Sequence, residues 1–331
     1  MRQGARKMKN PSPCKYSILI PVYRVGEYID RCLSALVVQI TSDVQIILVD
    51  DGSPDNSGAI CDRYAALYPQ ITVIHQTNGG VSAGRNRALQ AATGEYLIWV
   101  DPDDYVSENW FSSICQALEE TQADMLVFDY DEVKQGKHVH IAYNRTPGVL
   151  DKHVFLNDVV RDKRINSCLW NKPARRSLFD GIRFDPSLKC LEDYAILHHL
   201  ILRAKKIVYL PVGLYYYVIR NDSQVRTLDL DVSWSSYQVA LQRKTELENA
   251  GIPCDHIGII HQAKGFCRNY YLAGMPREQK EHYQVCRKEI ISNCKVVLCD
   301  AELSVSEKIK TLMASSMLVG KLFSWLNRLK K

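Results

Sequence analysis

Three aspartates, Asp101, Asp103 and Asp104, follow the apolar run YLIWV and are well suited to bind a metal ion. An apolar run of this length is typical of a strand buried on both faces, and carboxylates at its end can reach water and a ligand. In an extended chain Asp101 and Asp103 face one side, while Asp104 points away or caps the following helix. Because Mg²⁺ and Mn²⁺ prefer carboxylate and phosphate oxygens, the pattern indicates a site for a metal-bound nucleotide diphosphate.

The D-x-D spacing alone does not select this pair. A chain of this length contains on the order of one such pair by chance. Asp129 and Asp131 have the same spacing and follow a second apolar run, MLVF. Solvated carboxylates at a strand end would produce the same pattern, so the choice between the two pairs stays open at this point.

The composition is that of a soluble globular protein large enough for one large domain or two modest ones. The 331 residues are 46% hydrophobic and 24% charged, with a net charge of +5. The positive charge is mild and dispersed, and no interleaving of basic and aromatic residues occurs, so we expect no nucleic-acid partner. An anionic membrane surface remains a candidate partner.

Cysteine usage and apolar segments predict a cytoplasmic location. The eleven cysteines form no C-x-x-C pair in a chain too large to need disulfides. The first apolar stretch is too short for a signal peptide, and no uncharged run is long enough to cross a bilayer. The segment KIKTLMASSMLVGKLFSWLNRLKK is either an amphipathic helix on the inner face of the cell membrane or an ordinary helix docked on its domain.

Short apolar runs alternate with helical spacing between residues 16 and 128, which predicts an α/β fold. The runs are YSILIPV, VQIILVD, ITVIH, EYLIWVD and DMLVF. This series predicts a mostly parallel sheet with helices on both faces. Polar clusters follow four of the runs, and the carboxyl ends of parallel strands share one rim. We therefore expect these clusters to build one pocket.

Five motifs in this order resemble a family 2 glycosyltransferase of the GT-A fold, over roughly residues 15 to 225. They are SILIPVYRVGEYIDRCLSAL, IILVDDGSPDNSG, NGGVSAGRNRAL, GEYLIWVDPDDY and LEDY. The resemblance implies a Rossmann-like nucleotide-binding sheet and inverting transfer of a sugar, commonly from a UDP-sugar, with Mg²⁺ or Mn²⁺. The acceptor would be a hydroxyl of a glycan or lipid-linked oligosaccharide in surface polysaccharide synthesis.

The extent of this resemblance, together with the pattern of the rest of the chain, predicts four segments. A basic tail, 1–14, precedes a nucleotide-sugar-binding half, 15–130, and an acceptor-binding half, 131–225. The remaining segment, 226–331, is predicted to be helical, with breaks near Gly251 and Pro276, and to associate with the membrane if the basic terminal helix does so.

The resemblance assigns roles at the nucleotide. Pro21, Val22 and Tyr23 would line the base, and Asp50, with Asp51 beside it, would accept a hydrogen bond from the uracil N–H. The D-G-S sequence that follows is also ordinary turn chemistry, and the turn could present the acid.

Further assignments concern the phosphates. Ser82 would cap a helix whose first turn places Arg85 near the base or diphosphate, and Arg220 would close over the phosphates from a loop. The alternative for Arg220 is a solvated loop. The resemblance also favours Asp101 for the ribose or metal shell and Asp103 for direct metal ligation, where the metal offsets charge on the leaving diphosphate.

Inversion requires a general base, and Asp193 in LEDY matches the position that the family uses, with Glu192 as the second candidate. A helix N-terminus keeps such a carboxylate ionised. Helix capping is the alternative role of this pair. Two other functions remain: glycosyl transfer to a polyprenyl phosphate, which needs no base, and a non-catalytic nucleotide-sugar-binding scaffold. No G-x-G-x-x-G follows the first strand, which argues against a dinucleotide oxidoreductase.

Overall fold

The computed structural model describes residues 14–161, 165, 167–188, 191–220, 229–316 and 318–319. The chain forms two compact units, and each is discontinuous in sequence. The first, which we call the sheet unit, comprises 1–149, 169–183 and 204–218. The second, the helical unit, comprises 150–168, 184–203 and 219–331. The four continuous segments predicted from sequence therefore do not coincide with these units.

The sheet unit holds a ten-stranded sheet among the described residues. In chain order the strands are β1 (Tyr16–Val22), β2 (Val44–Asp50), β3 (Ile71–His75), β4 (Tyr96–Trp99), β5 (Tyr105–Val106), β6 (Met125–Lys134), β7 (Lys137–Ile141), β8 (Gly148–Val149), β9 (Ala174–Arg175) and β10 (Ile207–Val218). The described part of this unit has four α-helices: α1 (Ile29–Val37), α2 (Ser57–Leu67), α3 (Val81–Ala91) and α4 (Trp110–Thr121).

The half of the sheet formed by β3, β2, β1 and β4 is parallel, and the other half is mixed. The order is β3-β2-β1-β4-β9-β6-β10-β5, and β3, β2, β1 and β4 pair in parallel. β6 and β10 are also parallel, whereas β5, β7, β8 and β9 pair antiparallel with their neighbours. The predicted α/β sheet is confirmed. The antiparallel strands were not foreseen, because three of them are two residues long and carry no readable periodicity.

The pairing register of the sheet aligns the carboxyl ends of β1, β2 and β3. Val22 lies opposite Asp50 in the β1–β2 pair, and Asp50 lies opposite His75 in the β2–β3 pair. The residues that precede these ends are apolar and buried, including Ile18, Ile20 and Leu48. The polar clusters that follow the strands consequently meet at one rim.

The helical unit contains seven helices within the described ranges. They are α5 (Lys152–Arg161), α6 (Glu192–Arg203), α7 (Leu230–Asn249), α8 (Ile257–Leu272), α9 (Lys280–Ser292), α10 (Cys294–Cys299) and α11 (Val305–Ala314). The breaks near Gly251 and Pro276 fall between helices, as predicted. Their core is aromatic-rich, and includes Tyr237, Phe266 and Tyr283.

A buried arginine ties separate parts of the helical unit together. The Arg161 side chain, which is almost fully buried, pairs with Asp255, with Asp300 at 2.6 Å and with Glu302 at 3.6 Å. The carboxylates that surround this guanidinium compensate a charge that would otherwise be costly to bury.

Helices of the described chain are all too short or too polar to cross a bilayer. The segment predicted to rest on lipid begins within α11, but residues 317 and 320–331 lie outside the described part of the chain. Its lipid-binding role stays a prediction.

A glycine lets α8 approach α5 closely. A Cβ atom placed on Gly258 would lie 2.1 Å from the carbonyl oxygen of Val160, which is far inside van der Waals contact. Gly265 lies in the same helix, and a Cβ there would have no heavy atom within 4 Å. The two positions therefore differ in packing while sharing a helical backbone.

We predict that Gly258→Ala lowers the free energy of unfolding by about 1–3 kcal/mol, because the backbone of α5 must move. Gly265→Ala is the matched control and should raise it by up to about 1 kcal/mol through helix propensity. Denaturant unfolding of both variants measures the difference. Equal effects of the two substitutions would contradict the packing described here.

Candidate functional site

Asp51 fixes the glycine-rich loop at the rim. Its buried carboxylate accepts hydrogen bonds from the backbone N–H groups of Gly79 at 2.9 Å and Gly80 at 2.8 Å, and from Gln76 Nε2 at 2.7 Å. Gly80 has φ +85°, a conformation that favours glycine, and immediately precedes α3. Asp51 thus orders the loop that leads into α3.

Asp50 lies at the end of β2 within a hydrogen-bonded array. Its Oδ1 accepts from the Ser53 N–H at 3.0 Å, and its Oδ2 lies 2.9 Å from His75 Nδ1. His75 Nε2 lies 3.0 Å from Asp62 Oδ1. Hydrogen bonds to Asp50 first, and then to Asp62, raise the pKa of His75. A Cβ on Gly58 would lie 2.7 Å from Asp50 Oδ2, so a glycine there leaves room for the array.

His75 was missed by sequence reasoning. It closes the run ITVIH, and its position opposite Asp50 follows from the β2–β3 register. Aligning the last residues of the two runs would have placed this imidazole beside the carboxylate.

The residues predicted to line the base lie at the end of β1. Val22 is buried, Pro21 is partly buried, and Tyr23 is 42% exposed at the rim. Asp51 donates its backbone N–H to the carbonyl oxygen of Val22 at 2.9 Å. These residues are therefore adjacent to the β2 carboxylates, as predicted.

Ser82 does not cap α3, contrary to expectation. The helix begins at Val81, one residue earlier, so Gly80 occupies the N-cap position and Ser82 lies inside the first turn. The Ser82 Oγ is buried and has no hydrogen-bond partner among the described residues.

Arg85 and Asp101, which were predicted separately, lie side by side. The buried Arg85 side chain places Nη2 3.5 Å from Asp101 Oδ1, and its guanidinium lies 5.3 Å from the centre of the Trp99 ring. Because Trp99 ends β4, the strand that precedes the acidic motif also supports the arginine.

The acidic motif forms a turn and not the extended segment assumed from sequence. Asp104 donates its backbone N–H to the carbonyl oxygen of Asp101 at 3.1 Å. The turn is held from outside, because the Asp101 N–H donates to the Tyr215 hydroxyl at 3.0 Å and Arg31 donates to the carbonyl oxygen of Asp103 at 2.9 Å. Both Asp101 and Asp103 remain partly exposed.

Asp104 points into the sheet unit. Its buried carboxylate accepts from the backbone N–H of Val218 at 2.7 Å, near the end of β10. It does not cap the next helix, because α4 begins at Trp110 with Asn109 at the N-cap position. Burial, together with the charges of Asp103 and Asp101, raises the pKa of Asp104 well above the ordinary carboxyl range.

The donor set of this turn fits a hard divalent cation. Asp101 and Asp103 offer two partly exposed carboxylates two residues apart on a backbone held in place by Tyr215 and Arg31. Mg²⁺ and Mn²⁺ are commonly bound by one or two carboxylates with substrate phosphates and water completing the shell.

The second D-x-D pair is engaged differently. Asp129 is buried and accepts hydrogen bonds from the Tyr209 hydroxyl at 2.9 Å and from the Tyr143 N–H at 2.9 Å. Asp131 Oδ1 lies 2.8 Å from His140 Nδ1. Both aspartates lie inside β6 and not after it, so the reason for expecting a ligand at a strand end does not apply to them.

The residues predicted to act on the acceptor belong to the helical unit. Glu192 and Asp193 occupy the first turn of α6; Glu192 is buried and Asp193 is partly exposed. Asp193 Oδ1 accepts from the Tyr194 N–H at 2.7 Å. Arg220 also belongs to this unit and is partly buried.

Comparison with known proteins identifies the family. The family described as glycosyl transferase family 2 matches residues 17–185. Glycosyltransferase GlyG of Streptococcus pneumoniae is 32% identical over 228 residues, which is 66% of this chain and 75% of GlyG. The poly(ribitol-phosphate) beta-glucosyltransferase of Bacillus spizizenii is 33% identical over 217 residues, which is 63% of this chain but 33% of that enzyme.

A solved structure has the same fold. Residues 1–349 of S. aureus TarS, in complex with UDP-GlcNAc, align with a TM-score of 0.67 at 20% identity, covering 96% of this chain and 92% of that one. This likeness confirms the GT-A architecture with additional C-terminal helices. The motifs occur in their expected order, and the family match spans residues 17–185. The chain therefore belongs to glycosyl transferase family 2.

Proposed function

We propose that this protein is an inverting glycosyltransferase that moves a sugar from a UDP-sugar to a hydroxyl of a glycan or lipid-linked oligosaccharide. The observation that carries the proposal is the pairing of buried Arg85 with Asp101 at the rim that also holds Asp50. Asp50 at this rim offers a carboxylate to the nucleobase. Arg85 offers a positive charge to the diphosphate, and Asp101 offers a carboxylate to a metal ion that the diphosphate can bind.

The donor end of the site suits a uridine nucleotide. Asp50 is fixed by Ser53 and His75, and a carboxylate can accept the uracil N–H as an additional hydrogen bond. Pro21 and the exposed Tyr23 ring provide apolar surface beside it. The TarS structure with UDP-GlcNAc supports a UDP-linked donor for the present chain.

The diphosphate would lie beside Arg85 and the acidic turn. Asp103, with Asp101, would hold Mg²⁺ or Mn²⁺, and when bound the ion supplies charge neutralisation for the departing diphosphate. Arg85 contributes a fixed positive charge in a buried setting, where an electrostatic interaction is stronger than in water. Arg220 is proposed to contact the same phosphates.

The acceptor hydroxyl needs a proton acceptor, and Asp193 is the proposed base. Its place in the first turn of α6 stabilises the ionised form. The beta-glucosyltransferase relative acts on poly(ribitol-phosphate), which supports a cell-surface polymer or its lipid-linked precursor as the acceptor. We place the reaction on the cytoplasmic side of the membrane, with the basic C-terminal segment at the lipid surface.

The pairs Asp101–Asp103 and Asp129–Asp131 allow a matched test of the metal site. Asp103→Asn should weaken Mn²⁺-dependent UDP binding at least about tenfold, because a neutral amide is a poorer ligand for a hard cation. Asp131→Asn should leave UDP affinity unchanged. Isothermal titration with UDP in excess Mn²⁺ measures both. If Asp131→Asn has the larger effect, the metal has been assigned to the wrong pair.

Asp193→Asn should reduce turnover by roughly 10²–10⁴-fold, because the acceptor hydroxyl loses its base, while UDP-sugar affinity stays within about twofold. Glu192→Gln is the control and should retain most of the activity if the protein folds normally. The turnover rate is measured as product formation, with a panel of nucleotide sugars as donors. Full turnover in the Asp193 variant would favour an acceptor that is already ionised, such as a polyprenyl phosphate.

The Asp50–His75–Asp62 array should make stability depend on pH. Because the pKa of His75 is raised on folding, its contribution is fully present below the ordinary value of 6.5 and is lost as pH rises through the raised value. His75 is half exposed, so His75→Gln should cost less than about 1 kcal/mol at pH 6 and still less at pH 8. A cost that grows with pH would contradict this array.

A further inference from the structure

Two neighbouring histidines of α6 converge on one glutamate of α7, within the helical unit. His198 Nε2 lies 2.8 Å and His199 Nε2 lies 3.2 Å from the same Glu246 oxygen, Oε2. The two imidazole ring centres are 3.9 Å apart. Each of the three residues offers one potential ligand atom, and these three atoms all lie within 4.8 Å of one another.

This convergence is unusual for adjacent helical residues, whose side chains diverge by about 100° around the helix axis. A tetrahedral zinc site has bonds of about 2.0–2.2 Å to nitrogen and oxygen, which places its ligand atoms roughly 3.3–3.5 Å apart. The two Nε2–Oε2 separations found here, 2.8 Å and 3.2 Å, are slightly shorter. Small side-chain movements would therefore admit an ion.

Access from solvent is open on one side. His198 is 1% exposed, whereas the His199 and Glu246 side chains are 40% and 34% exposed. An ion could enter from the exposed side and complete its shell with water. Two nitrogens and one carboxylate select zinc and related transition metals over magnesium.

Two features limit the affinity. Arg243 is buried and lies 4.0 Å from the centre of the Tyr194 ring, and its positive charge opposes a nearby cation. The Nδ1 of His198 has no hydrogen-bond partner among the described residues, whereas metal-bound histidines usually donate from their second nitrogen.

We propose that His198, His199 and Glu246 bind a divalent transition-metal ion of the zinc class, which cross-links α6 to α7. This site is separate from the Mg²⁺ or Mn²⁺ site proposed at Asp101 and Asp103. It does not depend on the glycosyltransferase reaction. Its structural consequence is that α6, whose first turn contains Asp193, is fixed against α7.

Thermal unfolding of the chelator-treated 331-residue protein tests the site. Zn²⁺ at about 100 times its dissociation constant should raise the folded-to-unfolded ratio roughly 100-fold, whereas the same concentration of Mg²⁺ should not. His199→Gln and Glu246→Gln should abolish the zinc-dependent rise in Tm. His153→Gln, a change at an exposed histidine of α5, should retain it.

Cobalt provides a second readout, because the chain contains eleven cysteines. Co²⁺ bound to the cluster should show visible ligand-field bands without a thiolate charge-transfer band, and both glutamine variants should lose them. Metal-free melts establish whether each variant is folded, and either variant suffices for the test. A zinc shift that is absent in the wild type, or unchanged in the folded variants, would overturn the proposal.

Discussion

The carboxylates at the rim of the sheet are held by hydrogen-bond donors or by a cation, and these contacts organise the site. Asp51 accepts hydrogen bonds from backbone N–H groups of the glycine loop, and Asp104 accepts one from the end of β10 while burial raises its pKa. Asp101 is matched by the guanidinium of Arg85. Because unmatched charge is costly in a buried setting, the same contacts that compensate the acids also fix the loops that carry the proposed ligands.

The parallel half of the fold and its rim could be predicted because the signals are local. Apolar runs mark β1 to β4, and the polar residues after them had to meet at one edge. The bond between Asp104 and Val218 could not be predicted, since it joins residues 114 positions apart. The turn at Asp101–Asp104 was also missed, because the end of an apolar run does not reveal whether the backbone that follows it stays extended.

In the helical unit, too, contacts between residues far apart in sequence could not be predicted. LEDY is typical of a helix start, but the adjacent His198 and His199 that follow it have no spacing typical of a metal site. Their convergence on Glu246 arises from the packing of α7, whose register against α6 no sequence pattern reveals. Except for Arg220, the proposed donor-binding residues thus lie in the sheet unit, whereas Arg220 and the proposed base belong to the helical unit.

A crystal structure with UDP and Mn²⁺, using the anomalous signal of manganese, would locate both the metal and the nucleotide. We expect an anomalous peak at the carboxylates of Asp101 and Asp103, in contact with the diphosphate, and a uracil ring hydrogen-bonded to Asp50. A peak at Asp129 and Asp131, or a uracil ring remote from Asp50, would contradict this expectation.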